Sequence, residues 1–236
     1  LDMADLVSTR AALEEEFGEF AKREQLEWTC HWGDYSNRLA IMVSKTSHCL
    51  YDLVSRQREG DLDCEIPLII SNHPDLEHIA NQFRIPFYHL PITAETKEEQ
   101  EAKVLGLLKR FDIDLVVMAR YMQILSPAFT EAWAGKIINI HHGFLPAFQG
   151  ANPYGQAYAR GVKMIGATAH YASDELDQGP IIEQDVVRVN HELDPKGLRD
   201  VGKDVERRVL NRAVQAHLES RVIIHKNRTI VFSSGQ

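Results

Sequence analysis

The sequence has few cysteines, no long apolar run and no excess of positive charge. Its three cysteines, Cys30, Cys49 and Cys64, are odd in number and form no CxxC pair, which disfavours a disulfide framework and a structural zinc site. We therefore expect a cytoplasmic protein. No apolar run approaches the roughly 18 residues of a membrane span, so we expect no membrane partner. The start, Leu1 to Asp5, lacks both an initiator methionine and a signal peptide, so we expect the native chain to begin earlier.

The charge balance gives the chain no general attraction to nucleic acid or to anionic lipid. It has 26 Lys and Arg against 34 Asp and Glu, a formal net charge of −8. Arg207 and Arg208 are the nearest approach to a basic patch, but Asp200, Asp204 and Glu206 surround them. We therefore predict that this segment is a solvated helix face rather than a binding surface.

The usual phosphate and metal motifs are also missing. The first predicted strand, loop and helix, residues 41–53, contain no glycine, and neither GxGxxG nor GxxxxGK[ST] occurs, which disfavours a dinucleotide enzyme or a kinase. In this turn we expect His48 and Cys49 to be partly buried packing residues. There is no HExxH, and His141 and His142, adjacent on a strand, would diverge rather than bind one ion. We expect no metal.

Apolar runs alternate with helical patterns from Arg38 onward, and hydrophobic residues make up 44% of the chain. This alternation predicts an α/β fold with a Rossmann-like, mostly parallel sheet in a domain spanning 38–236. The predicted strands are 38–43, 66–71, 86–90, 115–118, 137–142, 167–171 and 181–189; the predicted helices are 48–58, 76–83, 96–111 and about 195–219; and 222–225 with 228–232 form a hairpin.

The first 33 residues predict a separate, smaller fragment. Leu13, Phe17 and Phe20 have helical spacing within Ser8–Glu24, and Glu27–Trp32 alternates like a strand. Asp2–Val7 is predicted to be the end of an earlier strand. Residues 33–37 are the predicted linker to the larger domain.

The most informative stretch runs from Ile137 to Gln184. Asn139 and His141 alternate along a predicted strand, so their side chains point to one face. Asp177 lies in a turn before the next apolar strand. Each alone has an ordinary structural explanation, but an amide, an imidazole and a carboxylate at neighbouring strand ends are what acid–base chemistry on a carbonyl requires.

These residues, with others near them, resemble the signature of a known protein family. Asn139-Ile140-His141, Leu145-Pro146 and Asp177 in Leu-Asp-x-Gly resemble the signature of the folate-dependent formyltransferase fold, over nearly all of 38–232. Three stretches, 141–148, 166–171 and 204–206, resemble formyltetrahydrofolate deformylases specifically. Transferases typically have proline where this chain has His142, and the family usually has serine where it has Gly143.

The resemblance implies hydrolysis of 10-formyltetrahydrofolate to formate and tetrahydrofolate. His141 would activate water or polarise the formyl oxygen, Asp177 would orient the imidazole, and Asn139 would donate to the oxyanion. The pterin would lie between the segments 118–125 and 172–177, with Arg120 or Lys45 available to its glutamate tail. The implied folate-binding residues are Met122, Gln123, Ile124, Leu125, His142, Asp174 and Leu176. No cofactor is implied beyond the folate substrate.

Two alternatives remain at this stage. Glycinamide ribonucleotide formyltransferase binds its substrate phosphate with a Gly-Asn-Ser-type loop, where this chain has Ser44-Lys45-Thr46-Ser47, so water is favoured over an amine as acceptor. A formyltransferase acting on an amine stays open, although the acidic charge disfavours tRNA. A non-catalytic folate-binding regulator is the other alternative. Residues 1–33 resemble the second half of an ACT module, which implies a homo-oligomer or small-molecule regulation.

Overall fold

The computed structural model describes residues 9–33, 35–148, 150 and 152–233. The chain divides into two compact units, Leu1–Tyr35 and Ser36–Gln236, and the division falls within the predicted linker. The ACT-like character of the first unit stays a prediction. Among the described residues, no helix is both long enough and apolar enough to cross a membrane.

The first unit contains helix α1 (Arg10–Arg23), which begins where the Thr9 hydroxyl accepts the N–H of Ala12. The predicted helix is thus confirmed, but the predicted strand Glu27–Trp32 is wrong, because residues 24–33 form no strand. The aromatic residues of this segment pack instead on α1: Phe17 and Trp28 have ring centroids 5.0 Å apart, and Trp32 donates a hydrogen bond to Glu14. A strand needs a neighbouring strand to satisfy its backbone groups. The predicted strand Asp2–Val7 lies outside the described residues.

The second unit is built on a seven-stranded sheet and a separate terminal hairpin. Its elements are β1 (Asn37–Val43), α2 (His48–Glu59), β2 (Cys64–Ser71), α3 (Glu77–Phe83), β3 (Phe87–His89), α4 (Lys97–Arg110), β4 (Leu115–Met118), α5 (Pro127–Ala132), β5 (Ile137–His141), α6 (Pro153–Arg160), β6 (Met164–Tyr171), β7 (Ile181–Arg188), α7 (Pro195–Leu218), β8 (Val222–His225) and β9 (Arg228–Val231). The sheet order is β3-β2-β1-β4-β5-β6-β7. Strands β1 to β5 are parallel, and β6 pairs antiparallel with both β5 and β7, so β6 alone runs against the other six strands. The predicted mostly parallel sheet is confirmed.

The central strands are apolar on both faces because both faces of the sheet are covered. In β1, Ile41 packs with residues of α2 and α7 on one side, and Met42 packs with residues of α4 on the other. Both side chains are fully buried. This rigid sheet holds the strand ends at which the polar residues lie.

Two short helices, α5 and α6, were not predicted. Each begins with a capping residue followed by proline: the Ser126 hydroxyl accepts the N–H of Phe129, and the Asn152 side chain accepts the N–H of Gly155. This signature was available in the sequence. It was not decisive, because these helices are too short to show a clear apolar period.

The sheet order places a topological switch point between β1 and β4. From β1 the chain continues to β2 on one side, whereas β4 leads to β5 on the other. In open parallel sheets, ligands bind in the crevice at the carboxyl ends of such strands. The residues that follow β1, β4 and β5 are therefore expected to contribute to the functional site.

The packing of β1 predicts a difference between two isoleucine substitutions. Ile41→Ala removes a fully buried side chain and should lower the free energy of unfolding by about 2–5 kcal/mol. Ile230→Ala, in the exposed hairpin strand β9, should cost no more than about 0.5 kcal/mol. Urea denaturation followed by circular dichroism measures both. Equal losses would contradict this assignment of the core.

Candidate active site

Strand β5 carries two polar side chains to its carboxyl end, as the sequence predicts. His141 is buried and Asn139 half-buried, and both border one cavity. The turn that follows is fixed by Thr168 of the neighbouring strand β6. The Thr168 hydroxyl donates to the Gly143 carbonyl at 2.9 Å and accepts the N–H of Leu145 at 3.0 Å.

The structure brings Asp177 to His141 across 36 positions of sequence (177 − 141). Asp177 Oδ2 lies 3.2 Å from His141 Nδ1, and both side chains are buried. The other ring nitrogen, Nε2, lies 3.2 Å from the carbonyl oxygen of Phe148. Burial alone would raise the pKa of the Asp177 carboxyl, but the hydrogen bond from His141, with His170 close by, holds that pKa well below its usual range.

His170 is a site residue that the sequence reasoning did not single out. It lies opposite Asn139 in the antiparallel β5–β6 register. Its Nδ1 is 2.9 Å from the Tyr171 carbonyl, which can only accept, so Nδ1 carries a hydrogen. In the neutral ring Nε2 then accepts a hydrogen bond from Asn139 Nδ2, 3.1 Å away. Nε2 also lies 3.7 Å from Asp177 Oδ1, which is near the carboxylate but beyond hydrogen-bond distance.

Gly143 lies directly against the His141 imidazole. A Cβ at this position would be 2.9 Å from His141 Nε2 and 3.1 Å from the Phe148 carbonyl oxygen. Both distances are shorter than ordinary van der Waals contact. Glycine therefore permits the close approach of His141 to the Phe148 carbonyl.

The cavity beside these residues has a volume of about 250 Å³. Six of the seven predicted folate-binding residues line it: Met122, Gln123, Ile124, Leu125, His142 and Leu176. Asp174 does not; it lies in a neighbouring depression, while Ser173 and Glu175 border the cavity beside it. Met122, Ile124 and Leu176 are about half exposed, at 48%, 55% and 51%. Large apolar side chains left exposed around a cavity are typical of ligand sites.

A second group of buried polar residues adjoins the cavity. Glu206 of α7 is 1% exposed, which corrects the prediction of a solvated face at that position. Its Oε1 accepts a hydrogen bond from the Tyr154 hydroxyl at 2.5 Å, and its Oε2 lies 2.9 Å from His48 Nε2 and 3.4 Å from Arg120 Nε. We call Arg120, Glu206, His48 and Tyr154 the Glu206 cluster. Arg120 is thus held by Glu206 rather than free for a glutamate tail.

The Glu206 cluster does not fit a metal ion. His48, Cys49 and Glu206 have ligand atoms within 4.8 Å of one another, the one such group among the described residues. Burial raises the pKa of the Cys49 thiol well above its usual value, which disfavours the thiolate that a metal binds. The guanidinium of Arg120 beside Glu206 would repel a cation.

The lowered pKa of Asp177 predicts how stability depends on pH. Below the ordinary carboxyl pKa of about 3.9, the unfolded chain takes up a proton that the folded protein does not, so stability present at neutral pH falls as the pH falls. Asp177→Asn lacks this contribution. Thermal melting from pH 7 down to acid should therefore show a steeper loss for the wild type than for the variant. Parallel curves would contradict the assignment.

The comparisons with known proteins agree with this geometry. The sequence model of the family described as "Formyl transferase" matches residues 37–214. The formyltetrahydrofolate deformylase of Synechocystis sp. is 55% identical over 225 residues, which cover 95% of this chain and 79% of that protein. The crystal structure of a formyltetrahydrofolate deformylase from Pseudomonas syringae has a TM-score of 0.94 at 46% identity, covering 97% of this chain and 76% of that one.

A glycinamide ribonucleotide transformylase from Symbiobacterium toebii shares the fold at greater distance. Its TM-score is 0.80 at 27% identity, over 87% of this chain and 99% of that one. The predicted formyltransferase fold is therefore confirmed. The chain belongs to the formyltransferase family and, within it, to the formyltetrahydrofolate deformylases.

Proposed function

We propose that this protein is a hydrolase that converts 10-formyltetrahydrofolate and water to formate and tetrahydrofolate, supplying formate for one-carbon metabolism and purine biosynthesis. The observation that carries the proposal is the meeting of Asn139, His141 and Asp177 at one cavity. The relatives named deformylases support the same reaction. Transfer to an amine, the alternative from sequence, is not favoured by these relatives.

In this proposal His141 is the general base. Asp177 accepts from Nδ1, and Nε2, once water has replaced the Phe148 carbonyl beside it, takes a proton from that water and returns it to N10 as the folate departs. The ionised carboxylate stabilises the imidazolium that forms after the first proton transfer. The Phe148 carbonyl, now 3.2 Å from Nε2, marks the position that the attacking water would take.

Asn139 is proposed to stabilise the oxyanion. One Nδ2 hydrogen is directed to His170, and the second is available to the oxygen of the tetrahedral intermediate. His170 is a positioning residue in this scheme, because its single acceptor nitrogen decides which side of the amide faces the cavity. Removing one oxyanion donor commonly lowers kcat by about 10²–10³.

Folate binding is proposed at the apolar rim of the cavity. Met122, Ile124 and Leu176 present exposed apolar surface there, and Leu125 lies deeper. The backbone of 121–125 and 173–177 offers polar groups to a pterin ring. Gln123 and His142 are the other proposed folate-binding residues that line this cavity. Asp174 stays a proposed folate-binding residue, in the depression beside this cavity.

Several further properties are proposals of the same kind. The protein would need no metal and no cofactor beyond its folate substrate, and would act in the cytoplasm as a homo-oligomer. Residues 1–33 would be part of an ACT-like module, and helix α1 supports that resemblance. The domain spanning 38–236 would be the catalytic domain.

The first test is formate release without an added amine. The purified full chain, incubated with 10-formyltetrahydrofolate and water alone, should release formate and tetrahydrofolate in equal amounts. His141→Ala should lower kcat by about 10²–10⁴, because the general base is lost. Asp177→Ala should also lower kcat, because the imidazolium loses its partner.

A matched substitution controls for folding. His73→Ala replaces a half-buried histidine outside the cavity and should leave kcat unchanged. Circular dichroism establishes that each variant is folded. Tight folate binding without formate release by the wild type would contradict hydrolysis, and formylation of an added amine would identify a transferase instead.

The role of His170 is tested by two substitutions. His170→Phe keeps the ring volume but removes the acceptor for Asn139, so kcat should fall about tenfold or more while KM changes little. His170→Gln restores a side-chain acceptor and should recover part of that loss. A purely structural role would instead lower the melting temperature of both variants and leave kcat of the folded protein intact.

A further inference from the structure

The crevice at the topological switch point is filled by the protein's own side chains. His48 begins the helix that follows β1, and Arg120 comes two residues after β4, the neighbouring strand. Glu206 from α7 bridges them, with Oε2 at 2.9 Å from His48 Nε2 and 3.4 Å from Arg120 Nε. In other parallel α/β sheets this is where a ligand lies. Here the Glu206 cluster occupies it.

Arg120 adopts a backbone conformation that an arginine rarely takes. Its φ is +67°, in the left-handed region that favours glycine. Its Nε and Nη1 are buried and make no hydrogen bond with any described residue. The left-handed backbone and the buried donors without hydrogen bonds both cost free energy. That cost is explained if the bulk and charge of Arg120 are needed at this position.

The Glu206 cluster is held in place from several sides. The Tyr154 side chain lies against Gly202, and its hydroxyl donates a hydrogen bond to Glu206. A Cβ at position 202 would overlap that hydroxyl, so only glycine fits there. Burial alone would raise the pKa of the Glu206 carboxyl, but the hydrogen bond from His48 and the charge of Arg120 lower it, so the carboxyl stays ionised against Arg120. These contacts make the cluster a fixed part of the fold rather than a mobile surface group.

The Glu206 cluster extends from the protein surface to the reaction centre. At one end His48 lines an open depression with Tyr51 and Arg207. At the other end Arg120 lines the cavity that holds Asn139 and His141. Tyr154 is also close, since its ring centroid is 5.8 Å from that of His142, which is 5.4 Å from that of His141. A molecule entering through the switch-point crevice would have to displace these side chains.

We propose that the Glu206 cluster blocks the binding site of a second substrate, so that water is the only nucleophile that reaches the formyl carbon. This inference rests on the proposed hydrolysis and identifies Arg120 as the residue that determines acceptor specificity. Transformylases with the same fold act on a ribonucleotide amine, so the fold itself does not exclude an acceptor of that size.

The test is the partition of the formyl group between water and an added amine. With hydroxylamine, the nitrogen bonds the formyl carbon, the C–N10 bond breaks, and the proton lost by that nitrogen goes to N10. The products are N-hydroxyformamide and tetrahydrofolate. Hydroxylamine and the larger glycinamide are each added to full-length protein with 10-formyltetrahydrofolate. Formate and formylated amine are counted by mass spectrometry, with a no-enzyme blank subtracted.

The wild type should give formate only, at a rate independent of either amine. Arg120→Gly suits the left-handed backbone and opens the crevice, so the ratio of formylated amine to formate should rise to at least about ten times the detection limit that bounds the wild-type ratio. The matched control is Arg84→Gly, which makes the same change at an exposed arginine with φ +56°, and should leave the ratio at the wild-type value.

Each remaining outcome counts against the inference. Efficient formyl transfer by the wild type overturns it without any variant, as does an unchanged ratio in hydrolytically active Arg120→Gly. If the unpaired Glu206 carboxylate prevents folding, Arg120→Gly combined with Glu206→Gln removes that charge and makes the same prediction. A wild type that releases no formate disproves the hydrolysis, and the inference falls with it.

Discussion

The contact between Asp177 and His141 is the interaction on which the rest of the site depends. A carboxylate that is nearly removed from water must be paired, and here the imidazoles of His141 and His170 lie 3.2 Å and 3.7 Å from it. That pairing orients the His141 ring, so that Nδ1 faces Asp177 and Nε2 faces the Phe148 carbonyl. Asp177 itself has φ +58°, a conformation that aspartate tolerates better than most residues, so the turn carries strain where the chemistry needs the carboxylate.

The sheet provides the rigidity that this contact requires. Strand β5 lies between parallel β4 and antiparallel β6; its pairing with β4 reaches Asn139, and its pairing with β6 reaches His141. The change of direction at β6 is what sets His170 opposite Asn139. Two buried charged groups adjoin the pair His141 and His142: Asp177 lies 3.2 Å from His141, and Tyr154 of the Glu206 cluster has its ring centroid 5.8 Å from that of His142. The first suits proton transfer, and the second suits exclusion of a competing acceptor.

The agreement between prediction and structure is uneven for physical reasons. Long apolar runs such as β1 and the amphipathic helix α4 were predicted within a few residues, because burial on both faces or on one stripe leaves a strong pattern. The segment 27–32 alternates as a strand does, but it pairs with no strand among the described residues, and Trp28 in it packs on Phe17 of α1. Glu206 was assigned to the solvent because its charged neighbours are exposed, and only its partners on other elements keep it buried.

The sequence by itself determined the α/β class and the position of β5, because strand periodicity depends on neighbours in the chain, whereas Asn139, His141 and Asp177 were singled out by their combination and by the family resemblance. Tertiary structure alone decided that Asp177 reaches His141, that His170 faces Asn139, and that Arg120 and Glu206 meet at the switch point. These contacts join residues 31 to 86 positions apart (170 − 139 and 206 − 120). Such contacts depend on strand order and register, which no local pattern encodes.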